Sequence, residues 1–188
     1  MWFSIWITDI IIPRKMKTLK FIIVLAIFTI LISCDHKEVT LTSNTAVENY
    51  IRLLKTNRFD SLSLPDFTSN DIPALLIYRN ETQIITNFPH NGISSLYMPD
   101  CTLGMYVLWT IESIRAVAIH SNQLIGRFPS QNPILALRDS ATLKLVYDVQ
   151  SSKKAAESYF KWWENNKHKD FEVFKNIDPL SGTSYKWH

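Results

Sequence analysis

Residues 102–119 read TLGMYVLWTIESIRAVAI, and no other stretch limits the possible folds as strongly. Coiled as a helix, this segment shows Leu, Met, Tyr, Val, Trp, Ile and Ala on nearly every side and leaves only a narrow polar stripe. A helix that is apolar almost all round must be covered on several sides, so the domain has to be built around it. It is not a membrane span, because Glu112 and Arg115 interrupt the run and charge inside a bilayer is costly.

Helical spacing recurs on both flanks. Ala46, Tyr50, Leu53 and Leu54 mark a helix that Asn44 or Thr45 can cap. Ser69-Asn70-Asp71 before Ile72-Pro73 offers a cap, an acid at the positive dipole end and a proline in the first turn, where its missing N–H costs nothing. Asn132-Pro133 predicts a helix through Leu135 and Leu137 to Arg138. Asp139-Ser140 then predicts a continuation through Leu143, Leu145 and Tyr147. Ser151 or Ser152 is expected to cap the last long helix, with Ala155, Ala156, Tyr159, Phe160 and Trp163 as its core face. Phe88-Pro89 and Phe128-Pro129 stand 40 residues apart. That spacing is close to the period of about 40–47 residues of HEAT-type helix pairs. Few glycines and few alternating β-branched runs point the same way. The expectation is an all-α fold: one compact helical domain over residues 45–188, with room for HEAT-like antiparallel pairs around the buried helix at 102–119.

The first 44 residues have a different logic. Lys17 and Lys20 precede the apolar run Phe21–Ile32, which ends in Leu31-Ile32-Ser33-Cys34. A short positive region, an apolar run of about 7–15 residues and a small residue at the cut describe a secretory signal peptide. The Leu-Ile-Ser-Cys ending resembles a lipobox, in which the cysteine takes a diacylglyceryl group and becomes the first residue of the mature chain. Residues 16–33 therefore read as a lipoprotein signal peptide, Cys34 as the lipidation site and residues 34–44 as the lipidated cysteine with its tether. Residues 1–15 place bulky apolar residues, Asp9 and Pro13 ahead of that positive region, as an upstream extension from a mis-assigned start would.

The formal charge of +3 belongs to the leader. Arg14, Lys15, Lys17 and Lys20 lie in residues 1–34 with Asp9, which leaves 16 side chains of each sign beyond Cys34. A balanced domain lacks the basic footprint of nucleic-acid binding. Once Cys34 is lipidated, Cys101 has no partner for an intramolecular disulfide and reads as a small buried side chain.

No catalytic, cofactor or metal site is expected. The histidines at 36, 90, 120, 168 and 188 form no pair at ligand spacing, the four glycines form no phosphate-binding loop, and no Gly-x-Ser-x-Gly elbow occurs. Glu112 is the best acid/base candidate, because burial would raise its affinity for a proton. Its spacing from Arg115 equally suits an ion pair that seats the helix. Trp162 and Trp187 are the candidate surface contacts, Trp162 because it points away from the core face of the last helix.

Asp71-Ile72-Pro73-Ala74-Leu75-Leu76, Asn91 to Ser95, Leu103-Gly104-Met105 through Trp109 to Arg115, Trp162-Trp163-Glu164 and Asn176 to Leu180 together resemble a family of uncharacterised lipoproteins from gut Bacteroidales, a domain of unknown function. The resemblance covers most of the mature chain. It implies a Gram-negative cell envelope and an all-helical domain, and it transfers no catalytic residue. It also makes Asp60-Ser61-Leu62 and Asp139-Ser140-Ala141 similar to the O-glycosylation acceptor of that group. The anchoring membrane and leaflet stay open.

Three functions are compatible with these features. The leading one is a lipid-anchored binding or scaffold module, held to the membrane through Cys34 and presenting a surface to a protein or glycan. It requires an exposed apolar or aromatic patch near Trp162 or Trp187. The second is an envelope hydrolase centred on Glu112, and the third a purely structural lipoprotein.

Overall fold

The structure, a computed structural model, describes residues 44–188. The upstream extension, the signal peptide, Cys34 and all of the tether but Asn44 lie outside the described residues.

The apolar stretch forms the central helix α3, Leu103–Ala118, against which the helices at Ile72–Leu76 and Val149–Glu164 pack. The Thr102 hydroxyl caps it, accepting from the Met105 N–H at 3.4 Å. Every residue from Leu103 to Ile114 is buried, Trp109, Tyr106, Leu108 and Ile111 completely. At its other end His120 takes a left-handed φ of +50° and turns the chain away.

Helix α1, Thr45–Lys55, buries Val47, Tyr50, Ile51 and Leu54, one stripe at helical spacing. The Asn44 side chain caps it by accepting from the Ala46 and Val47 N–H groups. The Asn44 amide also donates to Asp71, so the point where the chain enters the domain is tied to the next helix. That helix, α2 at Ile72–Leu76, follows a single 3-10 turn at Ser69–Asp71. Thr68 and Asp71 form a capping box there.

Strand β1, Ile84–Ile85, pairs antiparallel with β2, Cys101–Thr102, just ahead of α3. Gly104 then passes so close to the preceding loop that its N–H donates to the Glu81 carbonyl at 2.9 Å. A Cβ at this position would lie 2.6 Å from the Arg79 carbonyl oxygen and 2.9 Å from that of Glu81. Only glycine allows this approach.

The second sheet overturns the all-α expectation. The described residues are 38% helix and 10% strand, a mixed α/β fold with two small antiparallel sheets among them. Residues expected to be helical form β3, Leu135–Leu137, and β4, Leu145–Val146, and the aromatic tail forms β5, Tyr185–Trp187. The order is β4-β3-β5, with Leu135 opposite Val146 and Trp187, and Ala136 opposite Leu145 and Lys186. The physical reason lies in the backbone partners. Asn132 N–H donates to the His188 carbonyl, His188 N–H to that of Ile134, Arg138 N–H to that of Ser184 and Leu137 N–H to that of Lys144. These groups are saturated across the sheet and have none left for a helix. The HEAT-like pairing falls with the helices it needed. Phe88 and Phe128 do not open repeats; they are core rings, Phe88 4.9 Å from Tyr106 and Phe128 5.5 Å from Trp109.

Helix α4, Val149–Glu164, starts earlier than expected, because Asp148 caps it by accepting from Ser151 N–H at 2.8 Å. Its buried residues are Ser151, Ala155, Ala156, Tyr159 and Trp162. Of the expected core face Ala155, Ala156 and Tyr159 are buried, but Phe160 is 38% exposed, under the Arg79 guanidinium at 4.2 Å. Trp162 is correspondingly 5% exposed, with Phe174 of the short helix α5, Phe171–Phe174, at 5.3 Å.

Candidate functional site

The charged pair on the central helix sits at the floor of a cleft. Helix α3 contributes Glu112 and Arg115, three residues apart and therefore on one face. The Arg115 Nε lies 3.1 Å from both Glu112 carboxylate oxygens, and its Nη2 also donates to that carboxylate. Helix α4 supplies a second donor, the Tyr159 hydroxyl, 2.7 Å from Glu112 Oε2. Strand β5 completes the chain, with Trp187 Nε1 donating to the Tyr159 oxygen at 2.8 Å. One carboxylate thus collects the central helix, the last long helix and the final strand.

The electrostatics follow from this geometry. Burial works against the Arg115 charge, but the adjoining Glu112 carboxylate outweighs it and holds the guanidinium above its ordinary value. Burial first, and then the negative Glu112, push the Tyr159 phenol far upward, so it stays a neutral donor. His188 is shifted downward by burial and stays neutral.

The cleft has a volume of about 560 Å³. Beyond Glu112 and Arg115, Arg138, Asp178, Lys186, Trp187 and His188 line it from the side of the β3–β5 sheet. Arg138 Nη2 donates to Asp178 Oδ2 at 2.7 Å and to the Tyr185 carbonyl at 2.9 Å. Asn122, Gln123 and Gln131 reach it from the loop between α3 and β3, and Ile93, Ile125 and Leu143 are exposed apolar residues on its wall. Asn132 fixes the sheet end of the cleft. Its carbonyl faces Ser94 Oγ and His188 Nδ1, and its amide donates to the Leu96 and Gln131 carbonyls.

Of the two expected surface tryptophans, only Trp187 is here, partly exposed; Trp162 is a core ring away from the cleft. Cys34 lies outside the described residues. Arg138, Asp178 and Lys186 were missed as site residues, because the sheet that gathers them was read as helix. Among the described residues, no three His, Cys, Asp or Glu side chains could share a metal ion. Cys101 is buried and free, its thiol pushed up by burial and then by Asp100. No helix among the described residues is long and apolar enough to cross a membrane.

A family model described as a domain of unknown function (DUF4943) matches residues 41–188, most of the chain. No curated protein and no solved structure matches it.

Proposed function

From the premise that the chain belongs to the DUF4943 family, we propose that it is a lipid-anchored binding module of a Gram-negative cell envelope, of the Bacteroidales type, receiving a soluble ligand in the Glu112 cleft. The observation that carries the binding reading is the contrast between the cleft's floor and its rim. On the floor, the Glu112 carboxylate accepts from Arg115 and Tyr159, so the group is committed to structure rather than poised for proton transfer. On the rim, the side chains of Asn122, Gln123 and Gln131 make no hydrogen bond among the described residues. Rigid charge below and unengaged polar groups above suit recognition better than acid/base chemistry. The anchor is supported by the run from Lys17 to Cys34, with its positive start, apolar middle and Ser33-Cys34 ending.

Two experiments on the full chain test the two halves of this reading. Metabolic palmitate labelling in a Gram-negative host should mark the wild type and not Cys34→Ala; label on neither overturns the anchor. A photo-cross-linking residue in place of Gln131 should form an adduct in the native envelope. The same residue in place of Leu62, 95% exposed in the loop between α1 and α2, should not. Equal yields at the two positions overturn the cleft as the binding site.

A further inference from the structure

We propose that the ligand of the cleft is a carboxylated saccharide, oriented by Lys186 and gripped through its hydroxyls by the amides of Asn122, Gln123 and Gln131. This rests on the binding reading above and names its ligand class.

The charge argument starts from what is already paired. Both carboxylates of the cleft have internal cations, Glu112 with Arg115 and Asp178 with Arg138. Lys186 lines the same cleft, is exposed and has no ion pair among the described residues, so its ammonium is free to meet an anionic group. Arg138 also keeps donor capacity. Its Nη2 is engaged and its Nε is sealed from solvent, which leaves Nη1 without a hydrogen bond among the described residues. Lys186 lies opposite Ala136 on β3, and Arg138 follows directly after that strand, its N–H donating to the Ser184 carbonyl. Both side chains line the cleft. An anionic group bound there meets two cationic side chains.

The rest of the wall selects among anions. Three unengaged carboxamides offer both donors and acceptors, which is what alternating hydroxyls of a sugar require. The apolar residues Ile93, Ile125 and Leu143 are 61%, 38% and 64% exposed and stand out from the rim. They suit the C–H surface of a pyranose more than an anchoring peptide side chain, which needs a deep apolar pocket. Strand β5 spans only Tyr185–Trp187, and the Tyr185 carbonyl is occupied by Arg138, so it is too short to template an added peptide strand.

Calorimetry on the full-length protein in detergent tests this, with trigalacturonate, neutral maltotriose and a tri-glutamate peptide as probes. Trigalacturonate is expected to bind about tenfold more tightly than maltotriose. Lys186→Met should remove that preference while leaving the melting temperature unchanged. Gln131→Ala should weaken both saccharides. Equal affinity for the acidic and neutral sugars, an unaffected Lys186→Met, or tighter binding of tri-glutamate would each overturn the inference. If no saccharide binds while the adduct at position 131 still forms, the ligand class is wrong and the cleft stands. If both fail, the binding reading falls with it.

Discussion

Tyr159 donates its hydroxyl proton to Glu112 Oε2 at 2.7 Å and accepts the indole N–H of Trp187 at 2.8 Å. One phenol therefore couples the middle of the chain to its last strand. Tyr159→Phe leaves Glu112 one donor short and a largely buried indole N–H without its acceptor. The loss should be about 1–3 kcal/mol in urea unfolding. Tyr159→Phe and Trp187→Phe should cost less together than the sum of the two, because they break the same bond. Strict additivity would show that the chain is not cooperative.

Glu112 and Arg115 should fail singly and tolerate joint replacement. Glu112→Gln strands a largely buried guanidinium, at a cost of about 3 kcal/mol, the lower end for a broken buried pair. The lower end applies because Arg115 is partly exposed and also donates to the Lys175 carbonyl. Glu112→Met with Arg115→Met should recover part of that loss, seen as a partial return of the urea midpoint at constant slope, the remainder being the Tyr159 hydroxyl left without its acceptor. If the double variant is as unstable as Glu112→Gln, the pair is a net stabiliser rather than a seating device.

Gly104→Ala should cost about 1–3 kcal/mol, because the new Cβ overlaps backbone oxygens that no side-chain rotation can move. Gly92→Ala is the control, since a Cβ there meets nothing within 4 Å. A melting temperature for Gly104→Ala equal to that of the control would refute the close approach.

His90 and His188 are both held by burial below their ordinary values, so the folded state prefers them neutral. In the window below about pH 6.5 the unfolded chain binds more protons than the folded one. Stability should therefore be full above that pH and fall as pH drops toward the folded values. Melting temperatures between about pH 8 and 5 should show this slope in the wild type and a flatter one in His90→Gln/His188→Gln. Identical slopes would place the acid sensitivity elsewhere.

The central helix was legible because its signal is continuous: residues 102–119 were expected and Leu103–Ala118 is observed. The helix starts at Asn44 and at Ser69 to Pro73 were legible for the same local reason, although the capping box begins one residue earlier, at Thr68. The strands were not. Leu135–Leu137 is three residues long, and Leu135 and Ala136 are buried on opposite faces of the sheet, so it shows no alternation to set against the helical spacing of its neighbours. Trp162 was misplaced by a single helical step, which at about 100° per residue exchanges core for surface. The cleft was half legible. Glu112, Arg115 and Trp187 could be named, but Arg138, Asp178 and Lys186 meet them only through a pairing across 40 to 50 residues that no local pattern announces.

The antiparallel match of Leu135 with Trp187 also sets a timetable. The strand that fills the edge beside β3 is made about 50 residues later than β3 itself. A chain leaving the ribosome can form its helices early, but it waits for Tyr185–Trp187 before the sheet is complete and the indole reaches Tyr159. Until then Leu135 keeps an open edge and the cleft has no far wall. A chain that stops short of residue 185 is thus marked as unfinished by an unpaired strand, the kind of surface that proteases and chaperones recognise.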